Sequence, residues 1–153
     1  MSIEELRALP VKDITDKDAL LFLWVTFPKL AEAMTIFDAW GFTYKTCAFT
    51  WAKTNRKSPG FYFGLGFWTR GGTELCLLGT KGHPKRESAY VPQICTAPLT
   101  YHSHKPDEIR DRIVTLCGDR PRMELFAREK VEGWDCLGNE IDGRDIREAI
   151  LTV

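Results

Sequence analysis

At 153 residues the chain suits one domain with a real core, and its 44% hydrophobic and 27% charged residues exclude a disordered or fibrous protein. Its 21 basic residues equal its 21 acidic ones, which argues against binding nucleic acid by overall charge but leaves room for a local basic rim. Five widely spaced cysteines (Cys47, Cys76, Cys95, Cys117 and Cys136), with no CxxC, exclude a disulfide frame or zinc knuckle and point to reduced thiols in a cytoplasmic setting. There is no signal-peptide pattern. The longest apolar run, Ala19 to Phe27, is too short to span a bilayer, so no membrane partner is expected.

Ser2-Ile-Glu-Glu5 reads as a capping box, which predicts a helix from the start of the chain to about Leu9, stopped by Pro10. So abrupt an opening suggests a missing upstream part. Leu20 to Thr26 (LLFLWVT) is a continuous apolar run and predicts a strand buried on both faces. Pro28 opens the next helix, Leu30, Ala33, Met34 and Phe37 form its core stripe, and Gly41 ends it. Tyr44 to Ala52, rich in Thr and aromatics, predicts a second strand.

Lys53 to Gly72 (KTNRKSPGFYFGLGFWTRGG) is too long for a plain connector. Two readings stand for it. Lys53, Arg56, Lys57 and Arg70 hold phosphates while the interleaved aromatics stack bases, or the segment is a solvated loop whose aromatics anchor it to the core. Its GxG lacks the strand–helix setting of a dinucleotide loop. Glu74 to Thr80 predicts a strand, Lys81 to Arg86 a basic solvated turn, and Tyr90 to Ala97 a weaker strand.

The rest of the chain is organised around Tyr101 to Gly143. Pro106 fits the first turn of a helix, Asp107 and Glu108 suit its positive end, and Ile109, Ile113 and Leu116 recur at helical spacing before Gly118. Arg122 to Phe126 and Trp134 to Leu137 predict two short strands, each ending in polar residues. Asp142 is placed to cap a last helix whose apolar face is Ile146, Ala149 and Ile150. Polar groups just past strand ends are how open α/β sheets build ligand crevices. His102-Ser103-His104 invites a metal reading, which a metal-dependent hydrolase would need. No third ligand stands at a telling spacing, so no metal is expected.

The words HKPDE, ELFAR and W-x-x-LGNE-x-DG, in this order and with a helix between the first two, resemble the adenine-N6 methyltransferase family named after the 70-kDa methyl-donor-binding subunit of the messenger-RNA adenosine methyltransferase. SIEELRALPV, LFLWV, Trp40-Gly41-Phe42, FTWAK and GFWTRGGTELCLLGTKG are similar to the family's earlier segments, so the resemblance covers Ser2 to Gly143, in the manner of its bacterial and phage members. It implies one α/β domain over residues 1–153: a Rossmann-like sheet of the S-adenosylmethionine-dependent methyltransferases, permuted so that the cofactor half comes last. It also implies S-adenosylmethionine as cofactor and nucleic acid, DNA ahead of RNA, as partner. Carried over residue by residue, Lys105 meets the cofactor's carboxylate, Arg128 lies near its ribose, and Asn139 is another cofactor contact. Glu140, where eukaryotic members often have Gln, accepts ribose hydroxyls; Glu124 lies at a strand end beneath the cofactor. His104 and Ser103 sit in the loop that closes over the site.

One departure matters most. The family's Asp-Pro-Pro-Trp, which binds the target amine, occurs nowhere in this sequence. In the family it ends a central strand between the one at Arg122–Phe126 and the one at Leu20–Val25. Without that strand three outcomes are open. The flanking strands pair directly, another chain fills the gap through the exposed edges as a homodimer or heterodimer, or the sequence is an N-terminally incomplete version of a longer protein. The expected function is the cofactor half of an adenine-N6 methyltransferase, inactive alone, with no catalytic residue assigned. The alternative is a non-catalytic nucleic-acid-binding or partner subunit of the same fold.

Overall fold

A computed structural model describes residues 1–101 and 104–153. Helix α1 (Ile3–Arg7) starts on the expected capping box: the Ser2 hydroxyl accepts from the Glu5 amide at 3.1 Å, and the Glu5 carboxylate accepts from the Ser2 amide at 2.7 Å. Strand β1 (Ala19–Val25) leads through a short 3-10 turn containing Pro28 into α2 (Leu30–Ala39). Strands β2 (Thr43–Thr54), β3 (Thr73–Lys81) and β4 (Ile94–Pro98) follow. Helix α3 (Glu108–Cys117) precedes the short strands β5 (Met123–Leu125) and β6 (Asp135–Leu137), and two one-turn helices follow, α4 (Asn139–Asp142) and α5 (Ile146–Ala149), the second running into a 3-10 turn (Ile150–Thr152).

The main sheet has the order β1-β3-β2-β4. Strand β3 runs antiparallel to both β1 and β2, and β2 runs parallel to β4, so β1, β2 and β4 all point the same way. Neighbouring side chains on β3 face opposite layers. Leu77 joins Phe37, Ile36, Trp40, Ile146 and Ile150 on the side of α1, α2 and α5, while Cys76 joins Phe49, Cys95 and Ile109 on the side of α3. The Trp40 indole donates to the Leu6 carbonyl at 3.0 Å and ties α1 to α2. Strands β5 and β6 form a separate parallel pair. This mixed order is the permuted Rossmann-like sheet that the resemblance implied.

Three expectations are corrected. Strand β1 is not buried on both faces: six of its seven residues are only half-buried and only Val25 is buried. The reason is a missing neighbour. Among the described residues no strand pairs with the outer edge of β1, and β5 pairs with β6 alone, so the two flanking strands do not close the gap by pairing directly. The weak strand is confined to Ile94–Pro98, because Tyr90 stands in solvent with no core to join. The last helix is capped by Asp145, whose side chain accepts from the Arg147 amide at 2.8 Å, and not by Asp142, which pairs with Arg144.

Candidate functional site

The ends of β1, β2 and β4 and the start of β3 meet at one edge, placing Val25, Thr54, Pro98 and Glu74 near the same end of the sheet. Here lies the chain's one buried charged residue among those described, Glu74, at 6% exposure. Lys105 Nζ stands 2.7 Å from its Oε1 and Lys53 Nζ 3.2 Å from its Oε2. Each lysine also lies over an indole, Lys105 5.5 Å from the Trp24 ring and Lys53 5.1 Å from the Trp51 ring. Taking a carboxylate out of water is costly unless cations pair with it in this way.

Strands β5 and β6 bring two loops together. Phe126 is the described non-glycine residue with a left-handed backbone, at φ 61, a costly conformation for a bulky side chain and one that gathers at functional sites. It turns the chain so that Ala127 is buried and Arg128 is exposed. The Ala127 amide donates to the Leu137 carbonyl at 2.9 Å. A side chain at Gly138 would strike the Ala127 carbonyl, so the two loops approach as only glycine allows.

The polar ends of these loops line a cleft of ≈ 420 Å³ with Tyr101, His104, Arg128, Glu129 and Glu140. A second cleft of ≈ 360 Å³ is lined by Thr54, Arg56, Tyr62, Leu99, Thr100, Tyr101 and His104. The two share Tyr101 and His104, whose rings stack with centroids 5.5 Å apart. Both volumes lie in the range of small-molecule sites, roughly 300–1,000 Å³.

The structure thus brings His104, Arg128 and Glu140 to one cleft. Asn139 is exposed beside Glu140 at the start of α4. Lys105 is held by Glu74, and Glu124 takes the Arg110 guanidinium at 2.8 and 3.1 Å, so neither lines that cleft. Hydrogen bonding to Glu124 raises the Arg110 pKa and keeps the guanidinium charged. Ser103 and His102 lie outside the described residues. Among the basic candidates, Lys53 points to Glu74, while Arg56, Lys57 and Arg70 are exposed on the loop that follows β2.

Three features escaped the sequence. Glu74 reads there as one polar residue in an apolar strand. Tyr101 and Glu129 carry no motif that marks them. The structure also gathers His104, Asp107 and Glu129, with ligand atoms within 4.8 Å of one another. Arg110 Nη1 lies 3.1 Å from Asp107 and 3.8 Å from Glu129, so a guanidinium already supplies the countercharge a metal would bring.

The family model MT-A70 matches residues 1–140. The chain is 36% identical over 148 residues to the Type II methyltransferase M.MunI of Mycoplasma sp, covering 95% of this chain and 60% of that protein. It is 35% identical over 147 residues to an N(6)-adenosine-methyltransferase MT-A70-like protein of Drosophila melanogaster, covering 94% of this chain and 24% of that protein. It is 34% identical over 144 residues to the N(6)-adenosine-methyltransferase catalytic subunit of Homo sapiens, covering 92% of this chain and 24% of that protein. The chain therefore spans about a quarter to three fifths of the length of these relatives.

Proposed function

The chain belongs to the MT-A70 family, and from that premise we propose that it is the cofactor-binding half of an adenine-N6 methyltransferase acting on nucleic acid. S-adenosylmethionine is the methyl donor of this family and supplies a sulfonium methyl group for transfer to the target amine. The single observation that carries the proposal is the pair of clefts meeting at Tyr101 and His104.

The residues present fit the cofactor. A ligand with a carboxylate, a ribose diol and a positive sulfonium calls for a cation, carboxylates and an aromatic wall. The larger cleft offers Arg128, Glu129, Glu140 and Tyr101. Asn139 beside it adds an amide. The second cleft opens toward Arg56 and the basic loop, the side from which a base would arrive. A target base must leave its stack to reach such a pocket.

The exocyclic amine of adenine is a poor nucleophile, and its transfer chemistry depends on holding it in line with the methyl group. These residues contain no Asp-Pro-Pro-Trp to do so. Methyl transfer by the chain alone is therefore expected to be absent. The edge of β1, unpaired among the described residues, favours a related reading, in which the chain works with a further strand laid between β1 and β5. Parallel to β1, that strand would end at the same edge as both clefts. Either a preceding segment or a partner subunit fits this place.

Calorimetric titration with S-adenosylhomocysteine tests the cofactor cleft. Saturable one-site binding, weakened by Arg128→Ala and Glu140→Gln, is expected. Absence of binding to the unmodified chain would sink the claim that the cleft forms within these residues. Methyl transfer to matched DNA and RNA strands, measured with and without an added strand bearing Asp-Pro-Pro-Trp, tests the rest.

A further inference from the structure

The loop between β2 and β3 ends in an apolar tip that none of the described residues covers. Leu65, Phe67 and Trp68 are 97%, 102% and 99% exposed. Isolated exposed apolar residues are ordinary, but three large ones at one loop tip mark a contact surface. The tip is also shaped. Arg70 donates from Nη2 to the Phe63 carbonyl at 2.9 Å and from Nε to the Gly64 carbonyl at 3.3 Å, and its guanidinium lies 6.0 Å from the Phe63 ring. A side chain at Gly66 would strike the Thr69 carbonyl, so the turn is as tight as glycine permits. Lower in the loop, Thr54 bridges Phe61, and the Tyr62 amide donates to the Lys53 carbonyl at 2.9 Å.

Charge says what the tip meets. Asn55 to Gly72 contains three cations, Arg56, Lys57 and Arg70, and no Asp or Glu, although the whole chain is balanced. A positive stem below an apolar point complements a polyanion with flat apolar faces inside it. At its foot, Arg56 donates to the Leu99 carbonyl at 2.9 Å, and both Arg56 and Tyr62 line the second cleft. The loop thus connects an exposed aromatic point to a pocket of the size a single base needs.

We propose that Phe67 and Trp68, with Leu65, form a wedge that enters the base stack of a nucleic acid beside the target base, while Arg56 and Lys57 hold the flanking phosphates. The wedge replaces the stacking that the target base loses when it turns toward the second cleft. Apolar side chains inserted at a base step act in this way in proteins that kink or open a duplex. The inference rests on the nucleic-acid reading above.

The test uses the full chain and a DNA duplex in which 2-aminopurine replaces one adenine. The unmodified chain is expected to bind with a rise in 2-aminopurine fluorescence as that base unstacks, and with quenching of Trp68. Phe67→Ala/Trp68→Ala changes exposed side chains only, and is expected to abolish the rise and weaken binding about tenfold. Arg56→Ala/Lys57→Ala is expected instead to lower the slope of log affinity against log salt by about 2. If the tip variant binds and unstacks like the unmodified chain, the wedge is overturned while the nucleic-acid reading stands. If the unmodified chain binds neither duplex nor single strand, both are overturned. A concentration-dependent dimer that the tip variant abolishes, with nucleic-acid binding unchanged, would make the tip a contact between copies and overturn the wedge.

Discussion

The two working regions of this protein are built in opposite ways. The proposed cofactor cleft is assembled from separated stretches of chain: Tyr101 and His104, Arg128 and Glu129 after β5, and Glu140 after β6. The basic loop after β2 is one continuous stretch that shapes itself through its own carbonyls and the Arg70 guanidinium. A site drawn from several elements depends on the fold around it; a self-contained loop depends on little else. Glu74 joins the two regions, because Lys53 enters the loop and Lys105 enters the turn before α3.

Breaking that joint should have the largest effect. Glu74→Ala leaves two ammonium groups without their carboxylate in a part-buried place. Removing one partner of a buried pair costs about 3 kcal/mol or more. The urea unfolding midpoint is expected to fall accordingly, and both cofactor affinity and nucleic-acid affinity should fall with it. A loss in only one of the two affinities would show that the regions are independent. Gly138→Ala should come next. Its methyl group would press on the Ala127 carbonyl, and overpacking of this kind costs about 1–3 kcal/mol. Because that contact lies between the two corners of the cleft, S-adenosylhomocysteine affinity should drop while duplex affinity holds.

Smaller changes sharpen the contrast within the cleft. Asn139→Ala should weaken S-adenosylhomocysteine binding by about 1–3 kcal/mol, the cost of an unpaired polar group, and leave the unfolding midpoint alone. Lys105→Ala should lower the affinity and the midpoint together, since Lys105 also neutralises Glu74. Equal effects on the midpoint from both variants would remove the distinction.

How much of this was legible in the sequence follows from the same contrast. Local signals were read directly: the Ser2–Glu5 capping box, the apolar stripe of α2, and the helix stop at Gly118, which has φ 80. The basic loop was legible as a stretch of chain, though not as a turn that leaves Phe67 and Trp68 uncovered. Arg128 and Glu140 are singled out by the order of three motifs, not by any periodicity, and the structure brings them to one cleft. What stayed hidden depends on distant partners. Glu74 lies 31 residues from Lys105, and nothing in either segment announces the other. Glu124 sits on β5 as expected, but Arg110 on α3 claims its carboxylate. The half-burial of β1 was hidden for a different reason: an apolar run records the neighbours a strand is built for, and one side has none among the described residues.

The effect that is smallest at neutral pH, and grows only in alkali, lies on the face that α3 covers. The Cys95 thiol is fully buried and donates to the Glu108 carboxylate at 3.1 Å. Burial, reinforced by Glu108, pushes its pKa up to about 11. An unfolded cysteine ionises near ~8.5, so the unfolded state loses this proton first as pH rises. The stability contributed by the neutral thiol is complete below that value and is lost progressively as pH climbs toward about 11. Unfolding midpoints should therefore fall between about pH 8 and pH 10, and Cys95→Ala should flatten part of that slope. The duplex affinity of the loop should not follow the Cys95 titration, because the loop is held by backbone carbonyls and Arg70. A parallel loss of both would mean that α3 and the loop form one cooperative unit, and that the loop is less self-contained than its hydrogen bonds make it.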